Sequence, residues 1–81
     1  MSAGALVPLQ TVWAMLDECA QGYSASKKTH HFWVTYQTKT FQRLSLGEHG
    51  TRRPEVYIGH VRAMVRLFGI KECAKRFIPA L

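Results

Sequence analysis

The stretch KKTHHFWVTYQ, Lys27 to Gln37, sets two lysines and two adjacent histidines ahead of a run of aromatic and β-branched residues. Phe32, Trp33, Val34, Thr35 and Tyr36 suit a pleated, half-buried surface, so His30 to Thr38 is predicted to be a strand. Side chains alternate across a strand. His30 therefore shares a face with Phe32, Val34 and Tyr36, and His31 with Trp33, Thr35 and Gln37. One histidine faces whatever packs on the sheet and the other faces solvent. Both sets hold large apolar side chains, so hydrophobicity leaves the choice between them open.

Around this strand the chain reads as an α+β fold. QTKT, Gln37 to Thr40, is a plausible tight turn, and Thr40 to Leu46 returns as a second strand. Tyr23 to Lys28 is a candidate short edge strand. Upstream, Leu9, Val12, Trp13, Leu16, Cys19 and Ala20 recur at three- and four-residue spacing and predict a helix over Gln10 to Gln21. Pro8 suits its first turn, Gly22 its end, and Tyr23 can fold back on it. GEHGTRRP, Gly47 to Pro54, reads as a loop. Ile58, Val61, Met64, Val65 and Phe68 form one apolar stripe and predict a second helix, closed by Gly69 with Ile70 packing back. Lys71 to Phe77 has a short amphipathic pattern that Pro79 stops. An antiparallel sheet of two or three strands can take both long helices on one face, which leaves the other face open.

At 81 residues the chain is expected to be one domain, with residues 1–8 a loose lead-in. No run of eighteen apolar residues is present, so no membrane association is expected. The N-terminus has no basic segment ahead of an apolar run, and a cytoplasmic protein is the expectation. Cys19 and Cys73 match no metal or redox spacing and are expected to be reduced core residues. Charge is unevenly placed. Residues 1–26 carry Asp17 and Glu18 and no Lys or Arg, whereas residues 27–81 carry all eleven Lys and Arg against three acids, a balance of +8. Such asymmetry points to a polyanion, nucleic acid first and an acidic protein second.

The histidines admit three roles. A metal site is disfavoured: adjacent strand positions diverge, and no carboxylate or Cys lies at ligand spacing, so neither metal nor cofactor is expected. A strand histidine can also be merely structural. As a general acid or base, an imidazole works near neutral pH. RNA brings its own nucleophile, the 2′-hydroxyl, so cleavage needs a base, an acid and cations around the phosphate. His30 beside Lys27 and Lys28 offers that set.

The chain resembles the bacterial HicA toxins, small mRNA interferases with a fold like the double-stranded RNA-binding domain. Gly22-Tyr23 looks like the family's Gly-aromatic pair, KTHH (Lys28 to His31) like its Gly-Ser-His-His motif, and GEHG (Gly47 to Gly50) like its second histidine segment. GHVRAMVRLFGI, Gly59 to Ile70, is similar to its second helix, and KECAKRF to its tail. Lys28, Thr29 and Gly47 stand where the family has Gly, Ser and Pro. The resemblance implies an α-β-β-β-α order with a short C-terminal helix. It also implies the toxin of a type II toxin–antitoxin system, a metal-independent mRNA endoribonuclease. In that reading His30 is the catalytic residue on the open face and His49 a second candidate. Lys27, Lys28 and Arg43 hold phosphate, and Arg62 and Arg66 add a basic helix face. His31 and Trp33 would face the helices, and Phe32 would be exposed to stack on a base or pack on a partner. The implied partners are mRNA and a cognate HicB-like antitoxin. The rival reading is a non-catalytic RNA- or protein-binding module of the same fold.

Overall fold

The computed structural model describes residues 5–46 and 54–81. The chain runs β1 (Leu6–Pro8), α1 (Leu9–Cys19), β2 (Ser24–Lys27), β3 (His31–Tyr36), β4 (Lys39–Ser45), β5 (Glu55–Tyr57), α2 (Ile58–Phe68) and α3 (Lys71–Ala74). The fold is α+β. Strands β2, β3 and β4 form an antiparallel meander in that order, and β1 pairs with β5 as a separate ribbon. One bridge, Leu46 to Val56, joins the ribbon to the end of β4.

Both long helices lie on one face of the meander, as the apolar stripes require. Trp13 of α1 meets Phe32 edge-on with ring centroids 5.2 Å apart, and Phe68 of α2 meets Tyr36 at 5.6 Å. Phe32 and Tyr36 are on the same side of β3, with Val34 fully buried between them. All five residues of the α2 stripe are buried. Gly69 closes α2 in the left-handed conformation (φ 72°), and the Ile70 N–H donates to Val65 O at 3.0 Å. Tyr23 folds back on α1, its ring stacked at 6.1 Å on Trp13. A two-residue turn at Gln37 and Thr38 joins β3 to β4, with Gln37 at φ 59°, where glycine is usual.

Three expectations are corrected. Leu6 to Pro8 are not loose: they pair in register with Tyr57 to Glu55, so each helix is entered from a strand of one ribbon. The first free N–H groups of both helices are used reciprocally, Leu9 donating to Pro54 O and Ile58 to Ala5 O, each at 2.9 Å. Strands of three residues are too short to show a period, so the ribbon left no mark in the sequence. Second, α1 spans Leu9–Cys19, starting and ending earlier than predicted. Third, Cys19 and Cys73 are not reduced but joined in a disulfide. The short α3 turns back against the end of α1 and brings the two Cα atoms to 5.7 Å, a juxtaposition that a separation of 54 residues hides.

Two stability outcomes follow. Val65 is fully buried, so Val65→Ala should lower unfolding free energy by about 1–3 kcal/mol in urea titrations. The disulfide closes a long loop (sequence separation 54), and loop-closure entropy puts its contribution at about 4 kcal/mol. Adding reductant should therefore shift the urea midpoint of the wild type downward, and should leave that of Cys19→Ser/Cys73→Ser unchanged.

Candidate functional site

The site follows from the register of β3. Ser24 to Lys27 pair with Thr35 to Phe32, and the Lys28 N–H donates to His31 O at 2.7 Å. The β2–β3 hairpin thus turns tightly through Thr29 and His30. Because Phe32, Val34 and Tyr36 face the helices, His31, Trp33 and Thr35 face outward. Their partners on the same face are Ser26 and Ser24 on β2, and Ser45 and Thr40 on β4. Thr35 and Thr40 share a hydroxyl hydrogen bond of 3.0 Å across the strands.

A shift of register between Phe32 and Val34 shapes the middle of this face. Phe32 pairs with Leu44 but Val34 with Phe41, so Gln42 and Arg43 together stand opposite Trp33. The bulge keeps both Phe41 and Leu44 on the buried side although they are three residues apart, and leaves Gln42 and Arg43 exposed.

At the centre is Trp33, 38% exposed. Its indole N–H donates to His31 Nε2 at 3.2 Å, and the Lys28 ammonium stands 4.6 Å from the ring centroid. Accepting through Nε2 leaves that atom unprotonated, so the neutral His31 ring carries its proton on Nδ1. An aromatic face, an ammonium and an imidazole therefore meet on a surface otherwise made of Ser, Thr and Gln, with Arg43 exposed across the bulge. Aromatic rings among cations and small hydroxyls are what single-stranded nucleic acid uses.

The structure relocates several predicted site residues. His30 is exposed but lies in the hairpin turn, its carbonyl accepting from the Leu46 N–H at 3.1 Å, opposite the inward-facing Leu46. It does not sit on the outer face; His31 does. Phe32 is half-buried against Trp13 rather than exposed, and Trp33 is the aromatic presented to solvent. Lys27 pairs with Phe32 and so diverges from Lys28, although both are exposed. Lys28 and Arg43 do reach the outer face. Arg62 and Arg66 lie on α2, in the layer behind the sheet, and Arg62 donates to Ala80 O at 3.1 Å. They do not join the Trp33 cluster. His49 lies outside the described residues. The missed residues, His31 and Trp33, had a signal in the sequence: their set continues with Thr35 and Gln37, whereas Phe32, Val34 and Tyr36 carry no group that needs water except one phenol. The family resemblance implies the opposite face.

Burial raises the Tyr23 hydroxyl above the usual tyrosine pKa, and the charge of Asp17 and a hydrogen bond to it add to the shift. A cleft of about 840 Å³ beside the start of α1, lined by Pro8, Leu9, Thr11, Trp13 and Pro54 among others, contains none of the predicted site residues. Among the described residues no group of three His, Cys, Asp or Glu side chains is placed to hold a metal ion, and no helix is long and apolar enough to cross a membrane. The chain matches no family model, no curated protein and no solved structure.

Proposed function

We propose that the protein binds RNA across the outer face of the β2–β3–β4 sheet, through Trp33 and the cations around it. The observation that carries this is the Lys28–Trp33–His31 cluster, an exposed indole held by an imidazole and covered by an ammonium. A large aromatic on a polar sheet face loses little by meeting a base, and the +8 of residues 27–81 supplies the attraction for phosphate. Lys28 and Arg43 are the phosphate ligands on this face; Lys27, at the hairpin neck, lies on its other side. RNA affinity should therefore fall steeply as salt is raised in a fluorescence-anisotropy titration. Lys28→Ala with Arg43→Ala should make the log–log salt slope shallower by about 1 to 2 units, each counted as one phosphate contact. Affinity that is flat in salt would overturn the reading.

A second reading, cleavage by an mRNA interferase of HicA type, is favoured by the adjacent histidines at the hairpin. His30 is exposed at the hairpin turn and His31 lies on the outer face, with Lys28 beside them on the same hairpin. In this scheme one imidazole takes the 2′-hydroxyl proton and a second acid protonates the leaving 5′-oxygen, giving 2′,3′-cyclic phosphate ends. mRNA and an acidic antitoxin are its partners, and the cytoplasm its compartment. That compartment keeps thiols reduced, so there the Cys19–Cys73 pair would stand open. The expected outcome is that purified protein cuts single-stranded RNA, and that His30→Ala and His31→Ala, each checked for folding by circular dichroism, separate the roles. Loss of a proton-transfer group should slow cleavage roughly 10²–10⁴-fold. If RNA binds and stays intact, and neither substitution changes anything but affinity, the protein is a binding module alone.

A further inference from the structure

The same side chain, Lys28, is placed for two tasks that exclude each other. Its ammonium stands 4.6 Å from the centroid of the Trp33 ring. A base stacked on that face would lie about 3.5 Å above the ring, in the same space. An ammonium over an indole is also a phosphate ligand waiting for a better anion, since Lys is a flexible point charge with three rotatable donors.

The backbone fixes where this choice is made. The Lys28 N–H is bonded to His31 O at 2.7 Å, so the Cα of Lys28 is pinned at the hairpin neck and only its side chain is left to move. Trp33 is held as well: its indole N–H is tied to His31 Nε2 at 3.2 Å. Among the described residues the ring is anchored, the imidazole anchors it, and the Lys28 ammonium is held by the ring face. An exposed cation–π contact of this kind shifts an equilibrium roughly two- to fivefold, enough to close the ring in the free protein and weak enough for a phosphate to reverse.

We infer that Lys28 gates the stacking face of Trp33, and that the ligand which opens it is a nucleotide unit of single-stranded RNA, a base together with its own phosphate. This rests on the RNA-binding reading above and goes beyond it. The phosphate draws the ammonium off the ring, and the uncovered ring receives the base. A base without phosphate must displace the lysine with nothing to hold it elsewhere. A duplex offers phosphate but no base face. His31 acts in this as a positioning residue for the indole.

The test uses the full chain in its disulfide-bonded form, with adenosine as the base alone and a 2′-O-methyl tetra-adenylate as the strand, which has no 2′-hydroxyl to attack its own backbone. In proton NMR spectra of the free protein the Lys28 side-chain methylenes should be shifted upfield by the indole ring current. Adding the tetranucleotide should return them toward ordinary lysine positions while the Trp33 indole resonance moves. Lys28→Ala should bind adenosine about two- to fivefold more tightly than wild type and the tetranucleotide more weakly. If the tetranucleotide binds and the Lys28 methylenes keep their upfield shift, or if Lys28→Ala leaves adenosine binding unchanged or weaker, the gate is wrong while RNA binding stands. If the wild type does not bind the tetranucleotide at all, the RNA-binding reading fails and the gate fails with it.

Discussion

The side of β3 that faces the helices constrains everything else in the structure. Phe32 against Trp13 and Tyr36 against Phe68 are two edge-on aromatic contacts, one to each long helix, with fully buried Val34 between them. Each such pair contributes about 0.5–1.5 kcal/mol beyond the area it buries. A slip of one residue would exchange that set for His31, Trp33 and Thr35, burying an imidazole, an indole N–H and a hydroxyl, and would expose Phe32 and Val34. The imidazole and hydroxyl would lose their water with no partner in the helix layer, at a cost of about 1–3 kcal/mol for each unsatisfied group. The register is therefore fixed by both faces at once. The outward projection of His31 and Trp33 is its by-product rather than a separate feature.

The bulge on β4 follows from the same constraint. Phe41 must lie beside Val34 and Leu44 beside Phe32, yet the two are an odd three positions apart. A regular strand cannot put both inward. Admitting one extra residue at Gln42 and Arg43 solves the packing and at the same time sets a guanidinium opposite Trp33. Core packing thus supplies the outer face with a cation at its centre. At the Leu46 end of β4 the ribbon of β1 and β5 ties the entry of α1 to the entry of α2 through the reciprocal Leu9 and Ile58 hydrogen bonds. The aromatic pairs hold the helix layer against the sheet, and the disulfide ties α1 to α3 within that layer.

What could be seen in the sequence was what local periodicity encodes. The α2 stripe, its closing glycine and the packing-back of Ile70 repeat at helical spacing, and they stand where they were expected. The fold class and the placement of both helices on one face follow from those stripes. The ribbon strands are too short to carry a period, and the pairing of Cys19 with Cys73 depends on how α3 turns, which is a tertiary matter. The histidine register was the instructive failure. The polar content of His31, Thr35 and Gln37 favoured the outer face, and the irregular spacing of Phe41 and Leu44 announced a bulge, but reading either needed the partner strand. The resemblance to a short motif fixes which histidine matches which, not the face on which it lies.

A large exposed aromatic is a poor choice for a surface that only needs to be wetted. Trp33 is neither buried nor left bare: its N–H is satisfied by His31 and its face by Lys28, and both partners are groups that themselves bind anions or move protons. Packing does not demand this arrangement, because the helix layer is complete without it. Nor does hydration demand it, because Thr or Ser at position 33 would match Ser26 and Thr35 on the same face. The proposed ligand, a nucleotide unit with a flat π surface and a negative charge a few ångströms apart, would account for it. The basic arginines of α2 lie behind the sheet, on the other layer, so they cannot serve that ligand at the same time. Charge alone, summed over residues 27–81, would have merged two surfaces that the fold keeps apart.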